Sequence, residues 1–252
     1  MAEKIRVTVW SEYILEKEYE HIAAIYPKGI HEAIADIYRE EAEFEVRAVT
    51  LQMPEQGLSQ EILSQTDVLL WYGHMVHEQV EDEIVERIKK RVWEGMGLLL
   101  LHSSAQSKVF DRILGTTGEV RWREIGEKER VWVIDRSHPI VQGLPMYFDI
   151  PHSEMYGEPF EIPAPEELVF ISWFAGGDVL RSGCCYHRGA GKVFYFGPGH
   201  EEYPIYYQKE IRQVMKNAVR WAAPGRGVQV SFGKTDALEE VEIFSPRKNS
   251  YR

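Results

Sequence analysis

Histidine recurs where apolar runs of this chain stop. DVLLWY (residues 67–72) is followed by Gly73, His74 and His77. GLLLL (residues 97–101) runs into His102 and Ser103, and KVFYF (residues 192–196) into Gly197-Pro198-Gly199-His200-Glu201-Glu202. A fourth polar group, His152-Ser153-Glu154, lies in a less regular stretch. Imidazole nitrogens and carboxylate oxygens ligate divalent cations, and the same groups move protons near neutral pH. Singly, each has an ordinary reading as a helix cap, a loop hydrogen bond or a solvated side chain. The convergence of three strand ends carries the argument.

The spacing refines the chemistry. His74 and His77, three apart, can reach one metal from a loop or helix start, and the sequence does not choose between them. His102 sits at a sharp strand-to-helix turn backed by Ser103, Ser104 and Ala105. This is the shape of a nucleophile elbow, where histidine serves as ligand or base rather than acyl nucleophile. Ser103 lacks the G-x-S-x-G frame of a serine nucleophile. In an extended segment His152 and Glu154 share a face, which suits a cation or an acid/base couple. Gly197 and Gly199 permit close backbone approach, and Glu201 is placed to orient His200. His138 and His187 read as structural. Cys184 and Cys185 carry no motif. Trp10, Trp71, Tyr72, Trp173 and Tyr203 are either core or a stacking platform for sugar rings.

These residues need elements to position them. Residues 5–10 read as a strand, 12–27 as a loop or irregular helix, and Ile30, Ala33, Ile34, Ile37 and Tyr38 as one helix face. A second strand covers residues 44–49, a helical turn 60–63, and the two apolar runs are strands covered on both faces. Val80, Ile84, Ile88 and Val92 line a helix with acids first, bases last and Gly95 after it. Residues 119–123 and 130–134 are short candidate strands. Three late strands cover 168–173, 179–187 and 192–196, with a hairpin turn at 188–191. Ile211, Val214, Met215, Ala218 and Ala222 mark a final helix. Alternation of this kind gives an α/β, doubly wound, mostly parallel sheet in three layers, with ligands outside the carboxyl ends of its strands. A single domain over residues 1–252 is expected, with a less regular insertion near 115–165 and a peripheral tail after 234.

Composition excludes several classes. A net charge of −11 argues against nucleic acid, and no apolar run approaches the ~20 residues of a membrane span. Two adjacent cysteines make no disulfide framework, and the amino terminus shows no signal peptide, so a cytoplasmic location is expected. G-x-x-x-x-G-K-[ST], G-x-G-x-x-G and C-x-x-C motifs are absent.

VTVWSEYILEKE (residues 7–18) and IYPKGIHEAIA (residues 25–35) resemble the opening of the ThuA-like, or trehalose-utilisation, proteins. WYGH, GLLLLHSS, the HPI and GLP turns and GKVFYFGPGHE are similar to later parts of that family, so the resemblance covers about residues 5–225. It implies a flavodoxin-like α/β/α fold of the class I glutamine amidotransferase type. Where such amidotransferases carry cysteine this chain has His102, and His200 with Glu201 stands in altered spacing for their late His-x-Glu. Glutaminase chemistry is therefore not expected. The resemblance also implies a role in trehalose or related keto-sugar catabolism, alongside a sugar oxidoreductase as functional partner.

The leading expectation is a metal-assisted site. His74, His102, His152, Glu154 and His200 are candidate ligands of one divalent cation, zinc foremost. His102, Glu154, His200 and Glu201 are candidate catalytic groups, acting on a small-molecule sugar as hydrolase, lyase or isomerase. The alternative is a non-catalytic sugar-binding or regulatory partner of a sugar dehydrogenase. Self-association into a homo-oligomer is expected of either.

Overall fold

The apolar runs form strands because each is covered on both faces. In a computed structural model describing residues 4–225 and 233–240, the elements run β1 (Ile5–Ser11), α1 (Leu15–Glu18), α2 (Glu20–Ile25), α3 (Ile30–Arg39), β2 (Phe44–Thr50), α4 (Gln60–Ser64), β3 (Val68–Tyr72), α5 (Asp82–Trp93), β4 (Gly97–Leu101) and α6 (Lys108–Leu114). There follow β5 (Val120–Val133), β6 (Tyr147–Phe160), β7 (Glu167–Phe174), β8 (Val179–Arg188), β9 (Gly191–Phe196) and α7 (Lys209–Ala222). Side chains alternate along each inner strand. Val68, Leu70 and Tyr72 of β3 join the core under α3 and α7, whereas Leu69 and Trp71 join the core under α5 and α6. The result is the expected three-layer α/β/α arrangement.

Among the described residues the strands form one nine-stranded sheet in the order β2-β1-β3-β4-β9-β8-β7-β5-β6. The first five are parallel. From β9 outward every pairing is antiparallel. The stretch read as a less regular insertion is thus regular: β5 and β6, of 14 residues each, extend the sheet. Two short strands were expected where β5 is continuous. Bulges interrupt its pairing with β6, and these broke the period-two pattern at residues 124–126. The segment 12–27, read as loop or irregular helix, holds the short helices α1 and α2.

Local chemistry fixes the helix ends near the site. Ser107 accepts a hydrogen bond from the Phe110 amide at the start of α6, and Gly115 ends that helix in the left-handed region at φ 80°. Of the tail, residues 235–240 are exposed; its remainder from 241 lies outside the described residues. No helix among the described residues is long and apolar enough to cross a membrane.

Candidate functional site

Four parallel strands deliver polar groups to one edge of the sheet. Glu12 follows β1, His74 follows β3, His102 follows β4, and His200 with Glu201 follows β9. The antiparallel extension supplies the opposite wall: Trp122 and Glu124 from β5, Glu154 and Tyr156 from β6. His74, His200 and Glu201 line a cleft of about 520 Å³ with these four and with Tyr19, His21 and Glu202, while Glu12 and His102 are buried behind it.

His102 occupies a tight elbow with φ 51°, a left-handed conformation that costs a non-glycine residue energy and marks functional turns. Its Nδ1 lies 2.9 Å from the Gly197 carbonyl and its Nε2 2.9 Å from Glu154 Oε2. A carbonyl only accepts, so Nδ1 donates to it. Nε2 then faces a carboxylate oxygen, and one proton is shared between them. Tyr156 stacks on the imidazole, with centroids 4.5 Å apart and planes at 10°. The elbow is pinned from behind: Ser103 Oγ donates to the Gly73 carbonyl and Ser104 Oγ to that of Trp71, at 2.7 and 2.8 Å. Ser103 is thus a strut between two strand ends. Gly199 is required here, since a β-carbon would stand 2.6 Å from His102 Cβ.

His74 Nδ1 donates to Glu201 Oε1 at 2.6 Å, and Tyr72 Oη donates to the other oxygen of the same carboxylate. Burial alone would raise Glu201; the hydrogen bond and charge of His74, with His200 and Tyr72, instead pull it down to about 2. Burial likewise pulls His74 down, yet Glu201, Glu154 and Glu12 outweigh it and raise the imidazole above its ordinary value. His200 accepts a hydrogen bond at Nδ1 from the Glu202 amide, 3.1 Å away. Its Nε2 lies 3.6 Å from both Glu124 and Glu154. Burial is the main force on it and lowers it to about 4, so it is neutral at pH 7. Glu154 would be raised by burial, but His102, His200 and His74 hold it below the usual carboxylate range.

The ligand atoms of His74, Glu154 and His200 all lie within 4.8 Å of one another. Of the five ligands expected from sequence, these three converge. His102 stands beside them with both nitrogens engaged. His152 points away: it is exposed, and its Nδ1 bonds the Gly126 carbonyl at 2.9 Å. The β5–β6 bulges break the period-two relation that would have put it on the face of Glu154. His77 is also outside the cluster, 3.7 Å from Glu12. The aromatic platform differs as well. Trp10 and Trp71 are buried and stacked on each other, 3.7 Å apart, and the cleft's aromatics are Tyr19, Trp122 and Tyr156.

Two carboxylates are given no role by the sequence, although Glu12 stands at the end of the first strand. Glu12, buried, accepts the Met75 and Val76 amides at 2.7 and 3.1 Å and so holds the loop that carries His74. Its place after β1 was the available signal. Glu124 sits on the β5 bulge, accepts a hydrogen bond from Tyr203 Oη, and keeps its buried Oε2 without a hydrogen-bond partner. Nothing in the sequence marked the bulge.

The fold and the cluster define an α/β protein of glutamine-amidotransferase-like architecture with a histidine–glutamate site at its elbow. The family model described as ThuA: Trehalose utilisation matches residues 6–222, and the chain belongs to that family. A ThuA-like protein from Parabacteroides merdae superposes with a TM-score of 0.65 at 16% identity, over 90% of this chain and 93% of that one. A Salmonella typhimurium protein described as cytoplasmic gives 0.60 at 13%, over 88% and 100%. A Thermoplasma acidophilum protein described as a GMP synthase subunit gives 0.52 at 15%, over 87% and 94%. No curated protein matches the chain.

Proposed function

We propose that this ThuA-family chain acts in sugar catabolism through a site in which His74, Glu154 and His200 hold one divalent cation and the His102–Glu154 pair holds a transferable proton. The observation that carries this is the approach of three ligand atoms, from three separate elements, to within 4.8 Å. Two imidazoles and a carboxylate are the ligand chemistry of catalytic zinc. His74 fits well: Glu201 on Nδ1 leaves Nε2 to ligate, the orientation that carboxylates give metal-bound histidines. His200 fits at a cost: ligation through Nε2 moves its proton to Nδ1, and the Glu202 amide hydrogen bond is lost, about 1 kcal/mol. A cation there would polarise a sugar carbonyl or hydroxyl, or activate water. Around it, Glu201 orients His74, Glu12 fixes the loop, and the proton between His102 and Glu154 is available to a reacting oxygen in the cleft.

The cleft walls carry Glu124, Glu154, Glu201 and Glu202 and, among the described residues, no Lys or Arg. That lining favours a neutral sugar over a phosphorylated one. A sugar oxidoreductase is the functional partner in this reading, and the cytoplasm the location. Glutamine hydrolysis is not part of it, because both cysteines are buried in β8 and the elbow bears His102. Elemental analysis by mass spectrometry tests the site. About one zinc or other transition metal per chain is expected, lost in His74→Ala and His200→Ala and retained in His102→Ala. Glu201→Gln should weaken binding about 10–100-fold. A chain that takes up no metal after incubation with zinc, or whose metal is indifferent to His74, refutes the assignment.

A further inference from the structure

We propose that Trp122 and Glu124 form the sugar-recognition subsite of the cleft, the indole stacking on a pyranose face and the carboxylate receiving its hydroxyls. The inference rests on the reading of the cleft as a sugar site and deepens it. Trp122 is 64% exposed although it lines the cleft, and an indole held on a wall beside open volume is an unused apolar plane. Two residues on, Glu124 lines the same cleft. One of its oxygens is held by Tyr203. The other, Oε2, is buried and makes no hydrogen bond, its ion-pair neighbour His200 Nε2 standing 3.6 Å away, so its acceptor capacity is left for a ligand hydroxyl.

The backbone is shaped for this placement. Pairing between β5 and β6 is interrupted between Arg123 and Glu127, and Gly126 within the interruption has φ 66°, where a β-carbon would stand 3.1 Å from Tyr203 Oη. A bulge re-aims a side chain out of its ladder position, here the carboxylate that Tyr203 clamps. Trp122 pairs across the strands with Tyr156, the ring stacked on His102. The subsite is therefore continuous with the His102–Glu154 pair. Its carboxylate-rich wall selects against anionic sugars.

Isothermal titration calorimetry with trehalose, glucose and glucose 6-phosphate tests this on the whole chain, with metal content measured in parallel. Trehalose or glucose should bind, and glucose 6-phosphate at least about 10-fold more weakly. Trp122→Ala and Glu124→Gln should each weaken the neutral sugar about 10-fold, the latter through loss of a charge-assisted hydrogen bond. Melting temperature and metal stoichiometry should stay as in the parent. Unchanged affinity in both variants, tighter binding of the phosphate ester, or no binding of either neutral sugar overturns the subsite. Trp122-dependent sugar binding in a protein that takes up no metal would uphold the subsite while refuting the metal assignment.

Discussion

Glu129 of β5 provides a test of how the antiparallel extension of the sheet is held together. It is 1% exposed; Ser172 Oγ donates to Oε1 at 2.5 Å and Ser153 Oγ to Oε2 at 2.8 Å. Burial pushes its carboxyl up from 4.5 to about 7, against the opposing pull of the two serines and of His102. The folded protein thus keeps this proton between about pH 4.5 and 7, where the unfolded chain releases it. The stability it contributes is present below pH 4.5 and is lost as pH rises through 7. At 1.36 kcal/mol per pKa unit the loss reaches about 3 kcal/mol. Glu129→Gln removes the titration. Its carbonyl oxygen can accept from Ser172. Its amide can donate to Ser153, whose hydroxyl turns to the Glu154 carbonyl it already approaches at 3.2 Å. The variant should match the parent at pH 5 and exceed it at pH 8.5. For a chain of this size, that corresponds to roughly 6–12 °C in melting temperature. Thermal melts followed by circular dichroism at the two pH values decide it. A difference that is constant across pH, or larger at pH 5, refutes the assignment of a buried, proton-retaining carboxyl.

Two further expectations follow from the same physics. Burial lowers His31 to about 4, and Ser11 Oγ lies 3.2 Å from its Nδ1, so the stability it contributes is intact above pH 6.5 and is lost as pH falls toward 4; His31→Gln should flatten the acid side of the melting profile, and an unaltered acid limb counts against it. Gly199→Ala places a β-carbon 2.6 Å from His102 Cβ and 2.9 Å from Tyr206 Oη; we expect about 1–3 kcal/mol of destabilisation in urea titrations, and a variant as stable as the parent means the two strand ends are not in fixed contact.

The parallel half of the site was legible because its signals are local. An apolar run covered on both faces must stop before a charged or imidazole side chain, so DVLLWY, GLLLL and KVFYF announced where His74, His102 and His200 leave the sheet. The glycines after β9 announced a close backbone approach, expected toward a ligand and made at Gly199 toward His102. What sequence could not show was which nitrogen of each ring is free. His102 looked like a ligand from its position. Only the Gly197 carbonyl, 95 residues away, and Glu154, 52 residues away, reveal that its ring is already bound on both sides. His74 and His77 were equivalent in spacing. They differ because Glu201 reaches one while burial keeps the other neutral and apart, at about 4.

The antiparallel half was illegible for a different reason, and that reason bears on function. Strands β5 and β6 mix charged and apolar residues along their length, with buried, half-buried and exposed positions interspersed. Their sequence therefore shows neither a continuous apolar run nor a clean alternation. Bulges then shift the register, so that His152 leaves the site and Glu124 enters it. The parallel half fixes the histidines through a buried framework in which a displaced side chain would strand polar atoms. The antiparallel half places Trp122, Glu124, Glu154 and Tyr156 on strands whose pairing is interrupted by bulges. Substrate choice is expected to reside in that half, and chemistry in the contact between the two, where Glu154 of β6 meets His102 of the elbow at 2.9 Å.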